Sequence, residues 1–255
     1  MRKWLSRIPM LPVIYRKARR AVRYCEFAAD FLRYRRLQRL SSETLPLRWT
    51  DRYVCLDDRT ADMRYERSYV YHLAWAARIL VQTRPREHID MASHIFFTTM
   101  LSACIPMRYY DCRPTDVQLD GLVTGAADLR HLPFSDKSVP SLSCLHVLEH
   151  VGLGRYGDPI EPGGYRKAMA ELSRVVAPGG NLLIAVPIGR RRIEFNAHRV
   201  LNYQDVMDGF EGLKLRQFAL IPDNPKDGGL IIGASAEQAD RQSYGCGCFW
   251  FEGVR

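Results

Sequence analysis

The chain has 255 residues, 47% of them hydrophobic, with 37 Lys/Arg against 28 Asp/Glu and a net charge of +9. That length is enough for one α/β domain with appendages and a full core. Residues 1–40 hold twelve of the Lys/Arg against only Glu26 and Asp30, so the basicity belongs to one arm and the body is near neutral; a domain built to track phosphates would carry that charge on its body, which argues against a nucleic-acid partner.

The arm reads as a basic amphipathic helix over 13–34. Ile14, Ala18, Ala21, Cys25, Ala28 and Leu32 recur on one stripe, and Arg16, Arg19, Arg20 and Arg23 face away. Such a helix suits either an anionic membrane surface or a solvated arm packed on protein. The stripe is rich in Ala, which limits how deeply it could bury. No secretory signal is expected, because Pro9 and Pro12 break the first apolar run and RKARR follows it. The uncharged run Met91–Met107 is too short and too polar for a membrane span. Seven scattered cysteines point to free thiols in a reducing, cytoplasmic setting. Cys246 and Cys248 lack a second pair, so they read as buried strand residues and no metal is expected.

Residues 41–85 read as a connector and a leading helix of about 66–82, with Val70, Leu73, Ala74, Ala77, Leu80 and Val81 as its buried stripe. Residues 86–255 then alternate strand and helix. Strands are expected at 88–91, 107–110, 122–126, 141–145 and 182–186, with a late pair at 215–221 and 246–251. Between the fourth and fifth, Tyr165, Ala168, Met169, Leu172, Val175 and Val176 share a helix face. Pro178 cannot continue that helix, and Gly179 or Gly180 supplies the turn out of it. The pattern implies a doubly wound, mostly parallel sheet of seven strands with an N-terminal helical extension. Ligands sit beyond the carboxyl ends of such strands. That is where Glu149, His150, Arg155 and Asp158 fall.

LPFSDKSVPSLSCLHVLEH (132–150) and ELSRVVAPGGNLLIAVP (171–187) resemble the class I S-adenosylmethionine-dependent methyltransferases, over roughly 86–252. LEHVGLGRYGDP and FNAHR (195–199) resemble an uncharacterised domain-of-unknown-function family within that Rossmann-like superfamily. The resemblance implies S-adenosylmethionine as cofactor. Asp90 and the small Ser93 would lie at the cofactor's amino-acid end, and Asp111 would accept from the ribose hydroxyls. Asp128 and Leu129 would flank the adenine, and His146 would lie beneath the methyl-transfer site. One departure stands out: the turn DMASHIFF (90–97) has no glycine where the superfamily has a glycine-rich one. Either the turn follows another path, or cofactor binding is weakened or lost.

Methyl transfer to a hydroxyl asks for a base near the methyl. Glu149, His150 and His198 are the catalytic candidates, with His146 as a further base or as a core histidine. In the loop VGLGRYGDP, Arg155, Tyr156 and Asp158 project between glycines and, with Arg199, are candidate acceptor contacts. Arg155 could clamp an anionic group, or pair with Asp158 and staple the loop. Arg190, Arg191 and Arg192 are either rim contacts for an anion or solvated surface. Three functions remain open: a methyltransferase acting on a small or glycan-linked acceptor, as in polysaccharide assembly near a membrane; an inactive methyltransferase-like binding or scaffold protein; and another enzyme using Glu149, His150 and His198 as acid–base or metal groups. The oligomeric state is not readable.

Overall fold

The computed structural model describes residues 11–63, 65–113 and 115–254, with side chains from residue 17 onward. The first ten residues of the arm, and the side chains of Ile14 and Arg16, lie outside the described residues. The chain divides into two compact units, 1–64 and 65–255. The leading helix therefore belongs with the sheet rather than with the connector.

In the first unit, helix α1 spans Leu11–Gln38. The segment after it returns along one helix face. Trp49 packs on Phe27 and Phe31, with ring centroids 6.0 and 4.9 Å apart. Arg23 donates to the Leu56 carbonyl at 2.9 Å, and Arg59 pairs with Asp30 at 2.6 Å. The covered face is thus 23–27–31, whereas Ala18, Ala21, Cys25 and Leu32 of the expected stripe are exposed. Two phenyl rings offer far more apolar area than alanines, and they set the phase. Among the described residues, no helix is long and apolar enough to cross a membrane.

In the second unit, β1 (His88–Met91), β2 (Met107–Asp111), β3 (Leu122–Ala126), β4 (Val139–Leu145) and β5 (Val176–Ile188) are parallel. The late strands are β8 (Leu213–Ile221), the two-residue β9 (Ile231–Ile232) and β10 (Gly245–Gly253). The sheet order is β3-β2-β1-β4-β5-β10-β8-β9, with β10 antiparallel to both neighbours. It has eight strands where seven were expected, because β9 extends the edge. A separate hairpin, β6 (Arg192–Glu194) with β7 (His198–Val200), was not foreseen: a run of three arginines reads as solvated surface.

Both sheet faces are covered. Helix α4 (Gly164–Val175) buries Ala168, Met169, Leu172 and Val175 against Leu142, Ile184 and Phe249. It ends at Val175, just short of Pro178. Helix α2 (Arg67–Thr83) covers the other face, but with a rotated stripe. Its buried residues are His72, Trp75, Ala76, Ile79 and Leu80, while Val70 and Val81 are 50% and 62% exposed. Trp75 fixes that rotation: it is the largest apolar group on the helix, and its indole N–H reaches Gln217 at 2.9 Å. Burying each large side chain of this kind contributes about 1.5–3 kcal/mol. Helix α3 (Ile95–Leu101) follows β1, and α5 (Tyr203–Gly209) and α6 (Ala236–Asp240) close the far end.

Candidate functional site

The parallel register brings Asp90, Asp111 and Ala126 to the same edge of the sheet. Asp90 is fully buried. It accepts from the Ser93 amide at 3.0 Å and from the Ser143 hydroxyl. Since Ser143 gives its proton to Asp90, it accepts from His88 Nε2, 2.8 Å away. His88 Nδ1 in turn accepts from Ser141 at 2.7 Å. Burial pushes Asp90 up to about 6, against the pull of these hydrogen bonds, and drops His88 to about 3. Ser93 Oγ accepts from the Leu145 amide at 3.0 Å, which locks the turn onto β4. The glycine-free turn is made by Ala92 adopting φ +57°, the left-handed region where glycine is normally used. Ala92 therefore bears left-handed strain that a glycine would not.

Beyond that turn is a cleft of about 60 Å³, lined by Met91, Ala92, Asp111, Leu129, Val147 and His150, among others. Asp111 is nearly buried and lines the cleft; it accepts from the Arg113 amide at 2.8 Å and more loosely from Arg113 Nε and the Tyr109 hydroxyl, both at 3.4 Å, and its two oxygens keep acceptor capacity beyond these. Leu129 is buried in the wall. Asp128 also lines the cleft, but Arg130 occupies it: the Arg130 amide and Nε bind Oδ1 at 2.9 and 3.0 Å, and Nη2 binds Oδ2 at 2.7 Å. Those bonds hold the Asp128 carboxyl below its usual range. Arg130 also reaches Glu161 at 3.0 Å. The Asp128 expected to read an adenine amine is thus largely engaged. The sequence held only the two-residue spacing as a hint of this.

Past β4 the chain makes a short 3₁₀ turn, Leu148–His150. Glu149 is buried and lies 2.9 Å from His146 Nδ1 but 3.8 Å from His150 Nε2, so His146 is its main partner. Burial opposes charge on His146, yet Cys246 and Glu149 outweigh it and push its pKa well up. Burial also opposes charge on Glu149, and His146 outweighs it and lowers the carboxyl. His150 donates from Nδ1 to the Ala197 carbonyl at 2.7 Å, which leaves Nε2 as its lone-pair nitrogen. Burial lowers the His150 pKa, so the ring is neutral at neutral pH.

His146 does not lie on the cofactor cleft. It lines a second cavity with Ser68, Pro222, Asp223, Tyr244 and Cys246. His198 also turns away from Glu149: its Nε2 is 3.0 Å from Glu194, and its ring packs on Tyr244. FNAHR meets the His150 face through the Ala197 carbonyl, not through its histidine.

The glycine loop is shaped by Asp158, which accepts from the Gly152 amide at 2.7 Å and the Tyr156 amide at 3.3 Å. Gly152 has φ +81°, and a Cβ there would strike the Glu161 carbonyl. Arg155 bonds the Ala197 carbonyl at 2.9 Å rather than pairing with Asp158, and lies over Tyr156. Tyr156 stands at the mouth, with the Arg113 guanidinium 4.3 Å from its ring centroid. Arg199 is buried and donates to the Val151 carbonyl at 2.7 Å, so it positions this loop from behind. Of the three consecutive arginines, Arg191 pairs with Asp205 at 2.8 Å and Arg192 with Glu194 at 2.6 Å, which leaves little charge for an anion.

Residues 136–217 match the model of a family described as Caenorhabditis protein of unknown function, DUF268. No curated protein matches the sequence. Among solved structures, the N-methyltransferase NodS from Bradyrhizobium japonicum WM9, in complex with S-adenosyl-L-homocysteine, superposes with a TM-score of 0.52 at 14% identity, covering 74% of this chain and 88% of that one. A candidate sarcosine dimethylglycine methyltransferase from Galdieria sulphuraria gives 0.51 at 14% identity, covering 71% and 84%. A candidate methyltransferase from Bacillus halodurans C-125 gives 0.50 at 13%, covering 72% and 99%. The second unit of this chain therefore has the Rossmann-like fold of the class I methyltransferases.

Proposed function

We propose that the protein is an S-adenosylmethionine-dependent methyltransferase acting on a small or glycan-linked acceptor. The observation that carries this reading is the open cleft at the tips of β1–β3, with Asp111 at its polar end and Leu129 and Met91 in its apolar wall. These residues suit a nucleoside: a carboxylate for two ribose hydroxyls and a flat apolar wall for a base. When bound, the cofactor supplies an electrophilic methyl group. The chain's own part is to align the acceptor and remove its proton. His150, neutral and with Nε2 unprotonated, would take that proton. Tyr156 and Arg155 at the mouth offer an aromatic face and a cation for a sugar or its acidic group.

A second reading, a methyltransferase-like binding protein without turnover, is favoured by the Arg130 clamp on Asp128. Thermal melts with S-adenosylhomocysteine separate the two. Ligand at a hundredfold excess over its Kd stabilises a protein by about 2.7 kcal/mol. No shift at millimolar ligand would remove the enzyme reading.

The arm supports a second part of this proposal, attachment to the anionic cytoplasmic face of a membrane. Arg19, Arg20, Arg33, Arg35 and Arg36 are exposed on α1, and each basic residue near such a surface adds about 1 kcal/mol. Deleting residues 1–40 should release the protein from phosphatidylserine vesicles, and equal binding by the deletion variant would end the idea.

A further inference from the structure

The second cavity ends on a cluster that methyl transfer does not use. His72 from α2, His146 after β4 and Cys246 on β10 each bring one ligand atom to within 4.8 Å of the others. They are joined only by the fold, at separations of 74 and 100 residues. His72 is fully buried, and neither of its ring nitrogens has a hydrogen-bond partner. The Ser68 carbonyl one turn back pulls the His72 pKa up against burial, and it can serve at most one of the two nitrogens. A buried imidazole with two unpaired nitrogens needs a partner.

We propose that His72, His146 and Cys246 form a binding site for a divalent transition-metal ion of the zinc type, with one coordination position open to the cavity. Two imidazoles and a thiolate are borderline-soft donors that suit such an ion. Bonds of about 2.0–2.1 Å to nitrogen and about 2.3 Å to sulfur set tetrahedral ligand atoms about 3.5 Å apart. His146 Nε2 and Cys246 Sγ are already 3.2 Å apart, so small side-chain shifts complete the geometry. The ring is also oriented for it. Glu149 Oε1 sits 2.9 Å from His146 Nδ1, which turns Nε2 toward Cys246. A carboxylate behind a ligating histidine fixes its tautomer and raises its basicity. Glu149 is thus a positioning residue, not a ligand.

Cys248 lies behind Cys246, 3.9 Å from its sulfur, and faces the apolar core. It stands outside the three-residue cluster. His146 and Cys246 both line the cavity beside Ser68, Asp223 and Tyr244, about 240 Å³ in volume, and a fourth ligand would enter from there. Three protein ligands and an open site form the arrangement of a Lewis acid, able to take a hydroxyl or carboxylate oxygen from a bound molecule. Cys246, His146 and Glu149 also have the distances of a cysteine–histidine–carboxylate relay. That reading leaves His72 buried with nothing to bind.

The test uses the full chain, stripped with EDTA, reloaded with Zn2+ or Co2+ and desalted. About one zinc per chain should remain, and the cobalt form should show a thiolate-to-cobalt charge-transfer band with tetrahedral d–d intensity. His72→Gln and Cys246→Ser should each abolish zinc retention and the thiolate band, while Cys248→Ser keeps both. Glu149→Gln should weaken zinc binding about 10–100-fold and leave the band. The wild-type cobalt spectrum needs no variant to fold, so a missing thiolate band overturns the site. So does metal retained undiminished in Cys246→Ser, or lost in Cys248→Ser. Rapid alkylation of Cys246 in a chain that retains no metal overturns it in favour of the relay.

Discussion

The carboxyl edge of the sheet carries two polar sites of opposite character. On the β1–β3 side, carboxylates are bound by neighbouring amides, hydroxyls and arginines, and the open space they face is walled with apolar groups. On the β4–β10 side, His72 and one oxygen of Glu149 are buried with no partner at all. A satisfied polar site is stable alone and admits a ligand at modest gain, whereas an unsatisfied one is held at a cost until something fills it. Stability assays and ligand assays should therefore report differently on the two sides.

Asp111→Ala offers the largest break on the first side. It should remove the whole thermal shift from S-adenosylhomocysteine, because Asp111 is the nearly buried carboxylate at the cleft with acceptor capacity left. An unchanged shift would move the ribose site elsewhere.

Asp90→Asn comes next. The Asp90 carboxyl is raised to about 6 when folded, from an ordinary value of 3.8. The native state therefore holds a proton that the unfolded chain has lost between those values, and stability falls as pH rises through that window. About two units correspond to about 3 kcal/mol. The Asn variant should be the more stable protein at pH 7.5 by an amount of that order, and the advantage should vanish below about pH 4. Urea midpoints across that range measure it, and a pH-independent difference would mean that burial does not move the Asp90 carboxyl from its unfolded value.

Gly152→Ala should cost about 2–3 kcal/mol, since it combines a left-handed φ with a clash against the Glu161 carbonyl. It should also loosen Asp158 and the cleft mouth, weakening ligand binding along with stability. Ala92→Gly should do the reverse and stabilise by roughly 1 kcal/mol, by relieving φ +57°. A loss of stability there would show that the Ala92 methyl group packs usefully against the cleft.

The contrast also marks what could be read in the residues. Strands ending in Met91, Asp111 and Leu145 were legible because apolar runs and their polar stops are local patterns. The α4 face was legible for the same reason. The phase of α2 was not, because Trp75 outweighs a stripe of smaller residues and a buried histidine counts as polar in any periodicity. Asp128 lines the cleft, but its clamp by Arg130 depends on a rotamer. His198 and Arg199 were both candidate site residues, one catalytic and one for the acceptor. Adjacent residues on β7 point to opposite sides, so one meets Tyr244 and the other lies under the glycine loop. The His72–His146–Cys246 cluster was invisible because metal-ligand signatures rely on short spacing, and here three elements supply one ligand each.

The central position of β10 has a consequence for how the molecule is made. This strand comes after every other sheet strand in the chain, yet it sits between β5 and β8 and bonds to both along its length. During synthesis β5 waits with an unpaired flank while about sixty residues emerge. Such long-range closure is slow, and a bare hydrophobic flank invites pairing with a neighbouring nascent chain. Early rescue by a holding chaperone, rather than any change in the finished protein, should then govern its yield.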